Sequence, residues 1–119
     1  MPPIPDQSIR DWLRDTQDAI VSANASYHEY DPVFASRPQV VALIITVKEI
    51  IDDETFTDDD RHSILNLLAG VKSTNDLTMR GATALIKKIY GKDVVNIRDS
   101  EPLEVATDAI LYLYDCVLE

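Results

Sequence analysis

The residues best suited to chemistry in this sequence are the carboxylates of one short segment. Residues 49–60 hold seven acidic residues and no basic one: Glu49, Asp52, Asp53, Glu54, Asp58, Asp59 and Asp60. Clustered carboxylates can bind a calcium ion, or they can dock a basic protein surface through charge-assisted hydrogen bonds to Lys and Arg. A third interpretation needs no ligand, because acidic side chains also stabilise the start of a helix.

The calcium interpretation fails on the spacing of the segment. A calcium loop between two helices has a glycine at its sixth position and a bidentate glutamate at its twelfth. Counted from Asp52, these positions hold Thr57 and Ser63, and the segment contains no glycine. Asp58 and His62 are four residues apart on one helix face, but two ligands do not make a metal site. We therefore expect no bound metal and no other cofactor.

The arrangements that enzymes use to activate a nucleophile are missing from the sequence. Cys116 is the single cysteine, and its neighbours Asp115 and Val117 offer no positive charge to favour a thiolate. No serine lies in a Gly-x-Ser-x-Gly turn, and there is no glycine-rich phosphate loop. The sequence therefore predicts a protein that is not an enzyme and has no catalytic residue.

The apolar residues recur at helical spacing through most of the chain. This pattern predicts an all-α fold, a single compact bundle of about five helices. We expect one helical domain over residues 1–119, with a flexible N-terminus at residues 1–6. The second helix, which begins after Ser36 and is rich in Val and Ile, is expected to be the most buried element.

Capping residues predict where the helices begin and end. The predicted N-caps, in chain order, are Asp6 or Ser8, Ser36, Thr57 and Ser100, and the fourth helix is expected to start around Ser73 to Asp76. Thr57 and Asp60 have the spacing of a capping box, and Pro102 is expected in the first turn of the last helix. Gly70 and Gly91 are the predicted C-terminal residues of the third and fourth helices.

Residues 64–90 contain a step, Ala69-Gly70-Val71, that loosely resembles the corner of a DNA-binding helix-turn-helix. The predicted second helix of this pair carries Arg80, Lys87 and Lys88. However, the connection is longer than the usual turn of about three to four residues. The chain is also strongly negative, which repels phosphate, so nucleic acid is not the partner that we expect.

Tyrosines form a second group of residues suited to an interface. Tyr27 and Tyr30 lie in a predicted loop over residues 25–36, where they can act as aromatic anchors. Tyr112 and Tyr114 are two residues apart in the last helix, so both cannot belong to its core stripe. This helix is either central to the bundle or carries a second contact surface, which would permit a homo-oligomer.

The net charge narrows the classes of partner. The 119 residues carry a formal charge of −10, of which residues 49–60 contribute −7, whereas residues 73–98 contribute +3. This excess argues against a protein that coats nucleic acid or an anionic membrane. No apolar run approaches the roughly 20 residues of a membrane span. Without a visible signal peptide, the cytoplasm is the expected location.

Taken together, these features predict a small acidic module that binds protein, such as an inhibitor, an immunity protein or an adaptor engaging a basic protein surface. The predicted partner-binding residues are Asp52, Asp53, Glu54, Asp58, Asp59 and Asp60, with Tyr27 and Tyr30 as weaker anchors. Two alternatives stay open. One is a structural or assembly subunit that self-associates through its last helix, and the other is a helix-turn-helix-like DNA-binding regulator.

Overall fold

Five α-helices account for most of the residues that the structure describes. The computed structural model describes residues 6–24, 34–73, 76–92 and 100–118, and these residues contain no β-strand. The helices are α1 (Gln7–Asn24), α2 (Arg37–Ile50), α3 (Asp58–Ala69), α4 (Met79–Tyr90) and α5 (Glu104–Leu118). They pack into a compact bundle, which confirms the predicted all-α class. Most of the predicted loop over residues 25–36, and the predicted flexible N-terminus apart from Asp6, lie outside the described residues.

A single hydrophobic core joins all five helices. Each helix contributes at least one side chain with no exposed surface: Ile20, Leu43, Ile64, Leu85 and Ile110. The prediction that α2 is the most buried element is wrong, because three of its residues are buried against five in α3 and five in α4. The apolar residues of α2 surround the whole helix while the bundle covers one face, which leaves Val41 46% exposed.

The starts of α2 and α3 follow the predicted caps. At α2 the Gln39 amide donates to Ser36 Oγ at 3.3 Å, and the Ser36 amide donates to Gln39 Oε1 at 3.0 Å. At α3 the Asp60 amide donates to Thr57 Oγ1 at 3.2 Å, and the Thr57 amide donates to Asp60 Oδ2 at 3.3 Å. Each capping box satisfies two backbone donors that the helix itself leaves without acceptors.

The start of α4 was predicted too early in the chain. Thr78, and not a residue between Ser73 and Asp76, is the N-cap, and its hydroxyl accepts the Gly81 amide at 3.0 Å. The Leu77 carbonyl accepts the Ala35 amide at 2.9 Å, and Thr78 pairs with Phe34 in an isolated antiparallel bridge. These contacts with a distant segment use the backbone of residues 77–78, so the helix begins only after them.

The start of α5 was also predicted too early. The helix begins at Glu104, so Ser100 and Pro102 precede it. The Leu103 amide donates to the Ile89 carbonyl at 2.8 Å, and this bond ties residue 103 to the end of α4. At α1 the predicted choice between Asp6 and Ser8 is settled, because the Asp6 carbonyl accepts the first helical amides and Ser8 lies within the helix.

Helices α2 and α4 are parallel neighbours although α3 lies between them in the chain. Near their starts, Gln39 Nε2 donates to the Met79 carbonyl at 3.3 Å and to Thr83 Oγ1 at 3.1 Å. Near their ends, the Thr46 and Tyr90 hydroxyls are 2.8 Å apart in the buried interior. Because Thr46 also donates to the Ala42 carbonyl at 3.0 Å, Tyr90 is the donor between the two hydroxyls. Burial raises the pKa of Tyr90.

Gly70 and Gly91 end α3 and α4 as predicted, both in the left-handed region with φ of 69° and 73°. A Cβ at Gly70 would lie 3.6 Å from Gln17 Cβ, an ordinary contact, whereas a Cβ at Gly91 would lie 3.1 Å from both Leu103 methyl carbons. We therefore expect Gly70→Ala to lower the free energy of unfolding by about 1 kcal/mol and Gly91→Ala by about 2 kcal/mol in urea titrations. Equal losses would show that Leu103 yields without cost.

Candidate functional site

The acidic segment links α2 to α3 as an ordered turn built around Asp53. The Thr55 amide and hydroxyl donate to Asp53 Oδ1 at 2.9 Å and 2.7 Å, and the Phe56 amide donates to the Asp53 carbonyl at 3.1 Å. A carboxylate that accepts bonds from the backbone two residues later is a common way to fix a turn. Phe56 then enters the core with 3% of its surface exposed, so the turn is anchored at its end.

Tyr114 of α5 contacts this turn from a helix that is distant in sequence. Its hydroxyl donates a hydrogen bond to Asp53 Oδ2, and its ring meets the Phe56 ring edge to face, with the centroids 4.9 Å apart. The bond from Tyr114, followed by those from Thr55, lowers the pKa of Asp53, and the same bond raises the pKa of Tyr114. No sequence pattern pairs these residues, because they are 61 positions apart.

Arg61 brings a positive charge into the acidic segment. Its side chain is 10% exposed, and Nη1 donates to Asp58 Oδ1 at 2.7 Å, while the Asp58 side chain is 78% exposed. The Arg61 Nε is buried and has no hydrogen-bond partner among the described residues. Arg61 also contributes to the lowered pKa of Asp53. Arg61 directly follows the acidic segment in the sequence, and the fold buries its guanidinium against Asp58.

The six acids predicted to bind a partner therefore divide into two groups. The first group has partners inside the protein. Asp53 bonds Tyr114 and Thr55, Asp58 bonds Arg61, and Asp60 bonds Thr57. Asp52, Glu54 and Asp59 are exposed, and their carboxylates have no partner within the part of the chain that the structure describes. We call Asp52, Glu54 and Asp59 the unpaired acids. Asp52 and Glu54 flank Asp53 in the turn, and Asp59 lies in the first turn of α3.

The acidic side chains of this turn do not form a metal site among the described residues. Within the described ranges, no group of three or more His, Cys, Asp or Glu side chains is placed to hold one. The sequence pair Asp58 and His62 does not act as a free pair of ligands, because Asp58 accepts the bond from Arg61. What the unpaired acids can do is attract and hydrogen-bond cationic groups.

Comparison with known protein families, with curated protein sequences and with solved structures finds no match for this chain. None of the helices in the described ranges has the length and apolar character that crossing a membrane requires. What this chain binds must therefore be inferred from its own surface.

The tyrosines of α5 pack against the core. Tyr112, Tyr114 and Val117 are partly buried there. Among the described residues of α5, Leu111 is the large apolar residue that is exposed, with 39% of its surface accessible. A hydrogen bond with Cys116, one turn further on, raises the pKa of Tyr112. The apolar excess of this helix is therefore largely used inside the bundle. The other two predicted anchors, Tyr27 and Tyr30, lie outside the described residues.

Helices α3 and α4 lack the tight corner of a helix-turn-helix. Their connection runs from residue 70 to residue 78, and it includes the backbone contacts of Leu77 and Thr78 with the segment before α2. The start of α4 meets the end of α1 instead, where Asn24 Oδ1 accepts the Thr78 amide at 3.0 Å. Arg80 and Lys87 are exposed on α4.

Proposed function

We propose that this protein is a non-enzymatic binding module, cytoplasmic and acidic, that engages a basic surface of another protein through residues 52–60. The observation that carries the proposal is the set of unpaired acids, whose exposed carboxylates have no acceptor role inside the described fold. Such groups steer a basic partner into contact and form charge-assisted hydrogen bonds with its Lys and Arg side chains. An inhibitor, an immunity protein or an adaptor would use this surface.

The order of the turn supports the same proposal. Asp53 and Phe56 fix the backbone between Asp52 and the start of α3, so the unpaired acids are carried by a segment that is already folded. Binding then needs less ordering of the chain, which leaves more of the interaction energy for affinity. In this proposal Asp53, Asp58 and Asp60 support the surface, while Asp52, Glu54 and Asp59 contact the partner. Tyr27 and Tyr30 remain the proposed aromatic anchors.

Zero-length carbodiimide coupling in an extract of the native host tests the proposal, because it joins carboxylates directly to lysines in contact with them. We expect mass spectrometry to place the cross-links to one other protein on the unpaired acids. The variant Asp52→Asn, Glu54→Gln, Asp59→Asn lacks the reacting carboxylates, so the partner should also be lost from cross-links to the neighbouring acid Asp58 if these three residues are needed for binding. A matched variant with Asp15, Asp18 and Asp108 replaced by Asn, all exposed helix residues, should keep them.

Two results of this experiment would contradict the proposal. Cross-links confined to other acids would place the interface elsewhere on the bundle. Equal loss in the two variants would mean that total charge, and not this surface, attracts the partner. Cross-links between two copies of the chain would instead favour the assembly alternative.

A further inference from the structure

We infer that Tyr114 is a positioning residue of the acidic surface: through its hydroxyl and its ring, it holds the turn over residues 51–57 in the conformation that presents Asp52 and Glu54. The presenting role rests on the proposed function. The holding of the turn does not, and it is measurable on the protein alone.

The Tyr114 side chain makes two contacts between α5 and the turn. The Tyr114 hydroxyl reaches Asp53, which lies between Asp52 and Glu54, and the Tyr114 ring packs on Phe56, which closes the turn. Asp53 in turn accepts from the amide and hydroxyl of Thr55. A carboxylate bonded on one oxygen to its own turn and on the other to a distant helix couples the two.

Two charged side chains act on the hydrogen-bonded pair of Asp53 and Tyr114. Arg61 of α3 attracts the Asp53 carboxylate, while Asp115 of α5 adds negative charge near Tyr114. Asp53 must be ionised to accept from Tyr114 and Thr55 together at full strength. Its pKa is lowered in the folded state, so this contribution is present above the ordinary value of 3.8 and is lost as the pH falls through the folded value.

Amide hydrogen exchange on the full chain separates this role from a general packing role. Tyr114→Phe removes the hydroxyl and keeps the ring contact with Phe56. Tyr112→Phe is the matched control, because it makes the same change on the same helix at a hydroxyl that faces Cys116. We expect about tenfold faster exchange of the Thr55 and Phe56 amides in Tyr114→Phe, since one charge-assisted hydrogen bond is lost.

The reference amide is that of Gly91, which donates to the Lys87 carbonyl at 2.7 Å far from the turn in sequence. We expect its exchange to be unchanged in both variants. Wild-type exchange at Thr55 and Phe56 in Tyr114→Phe would overturn the inference. An equal acceleration at Gly91 would overturn it as well, because Tyr114 would then stabilise the whole bundle.

The pH dependence supplies a second readout. Below about pH 4, the protection of Thr55 and Phe56, corrected for intrinsic exchange rates, should fall in the wild type. It should be independent of pH in Asp53→Asn, whose carboxamide oxygen can still accept from Thr55 and does not titrate, while its NH2 group faces the Tyr114 hydroxyl. Persistence of the pH dependence in Asp53→Asn would contradict the assignment to Asp53. The two experiments test separate claims. Hydrogen exchange tests whether Tyr114 holds the turn, and cross-linking tests whether the unpaired acids contact a partner, so either can be contradicted without the other.

Discussion

Replacing Asp52, Glu54 and Asp59 together with lysine should slow association with the cross-linked partner by roughly 10- to 1,000-fold at low salt, because opposite charges steer protein encounters. The net charge changes from −10 to −4, since each reversal adds two. The fold should survive, as the three side chains have no partner among the described residues. Lysine at position 59 opposes the helix dipole of α3, which costs at most about 1 kcal/mol.

Stopped-flow or surface-based kinetics at several ionic strengths checks this expectation. The control reverses Asp15, Asp18 and Asp108, three exposed acids on α1 and α5, and changes the net charge by the same amount. We expect the control to retain most of the association rate, and we expect the difference between the variants to shrink as salt screens the charges. An unchanged association rate in the variant at residues 52–59 would exclude the acidic segment as the docking surface.

Helix ends that depend on nearby residues were predicted well from the sequence. The Thr57 and Asp60 capping box and the left-handed Gly70 both involve residues within one turn of the helix end, so the local sequence contains all the necessary information. The starts of α4 and α5 depend on hydrogen bonds from Ala35 to Leu77 and from Leu103 to Ile89. Local residues do not encode these distant partners, and both starts were placed too early.

The acidic segment shows the same division between local and distant information. Its composition identified the region of interest, and spacing alone excluded a calcium loop. Two of the three paired carboxylates have local partners, since Asp58 bonds Arg61 three residues later and Asp60 bonds the Thr57 cap. Only Asp53 also has a distant partner, because Tyr114 reaches it from α5. The bond between Tyr114 and Asp53 is therefore the part of this division that the local sequence does not reveal.

Gly81→Ala, at the junction of α1 with α4, should markedly lower the free energy of unfolding. A Cβ at Gly81 would lie 2.2 Å from Asn24 Oδ1. That oxygen accepts the Thr78 amide at 3.0 Å and the Thr78 hydroxyl at 2.8 Å, so it cannot move without losing both bonds. The two bonds and the local strain outweigh the better helix propensity of alanine, and we expect a loss of about 2 kcal/mol in the free energy of unfolding.

A double-mutant cycle with Asn24→Ala tests the cause of that loss. Once Asn24 is truncated, the obstructing oxygen is absent and its two bonds are already lost, so Gly81→Ala should be neutral or stabilising by up to about 1 kcal/mol. Gly70→Ala, which lies beside Gln17 and not Asn24, is the control and should cost the same in both backgrounds. If Gly81→Ala costs the same with and without Asn24, the obstacle is Leu77, whose Cδ1 lies 3.1 Å from the added Cβ.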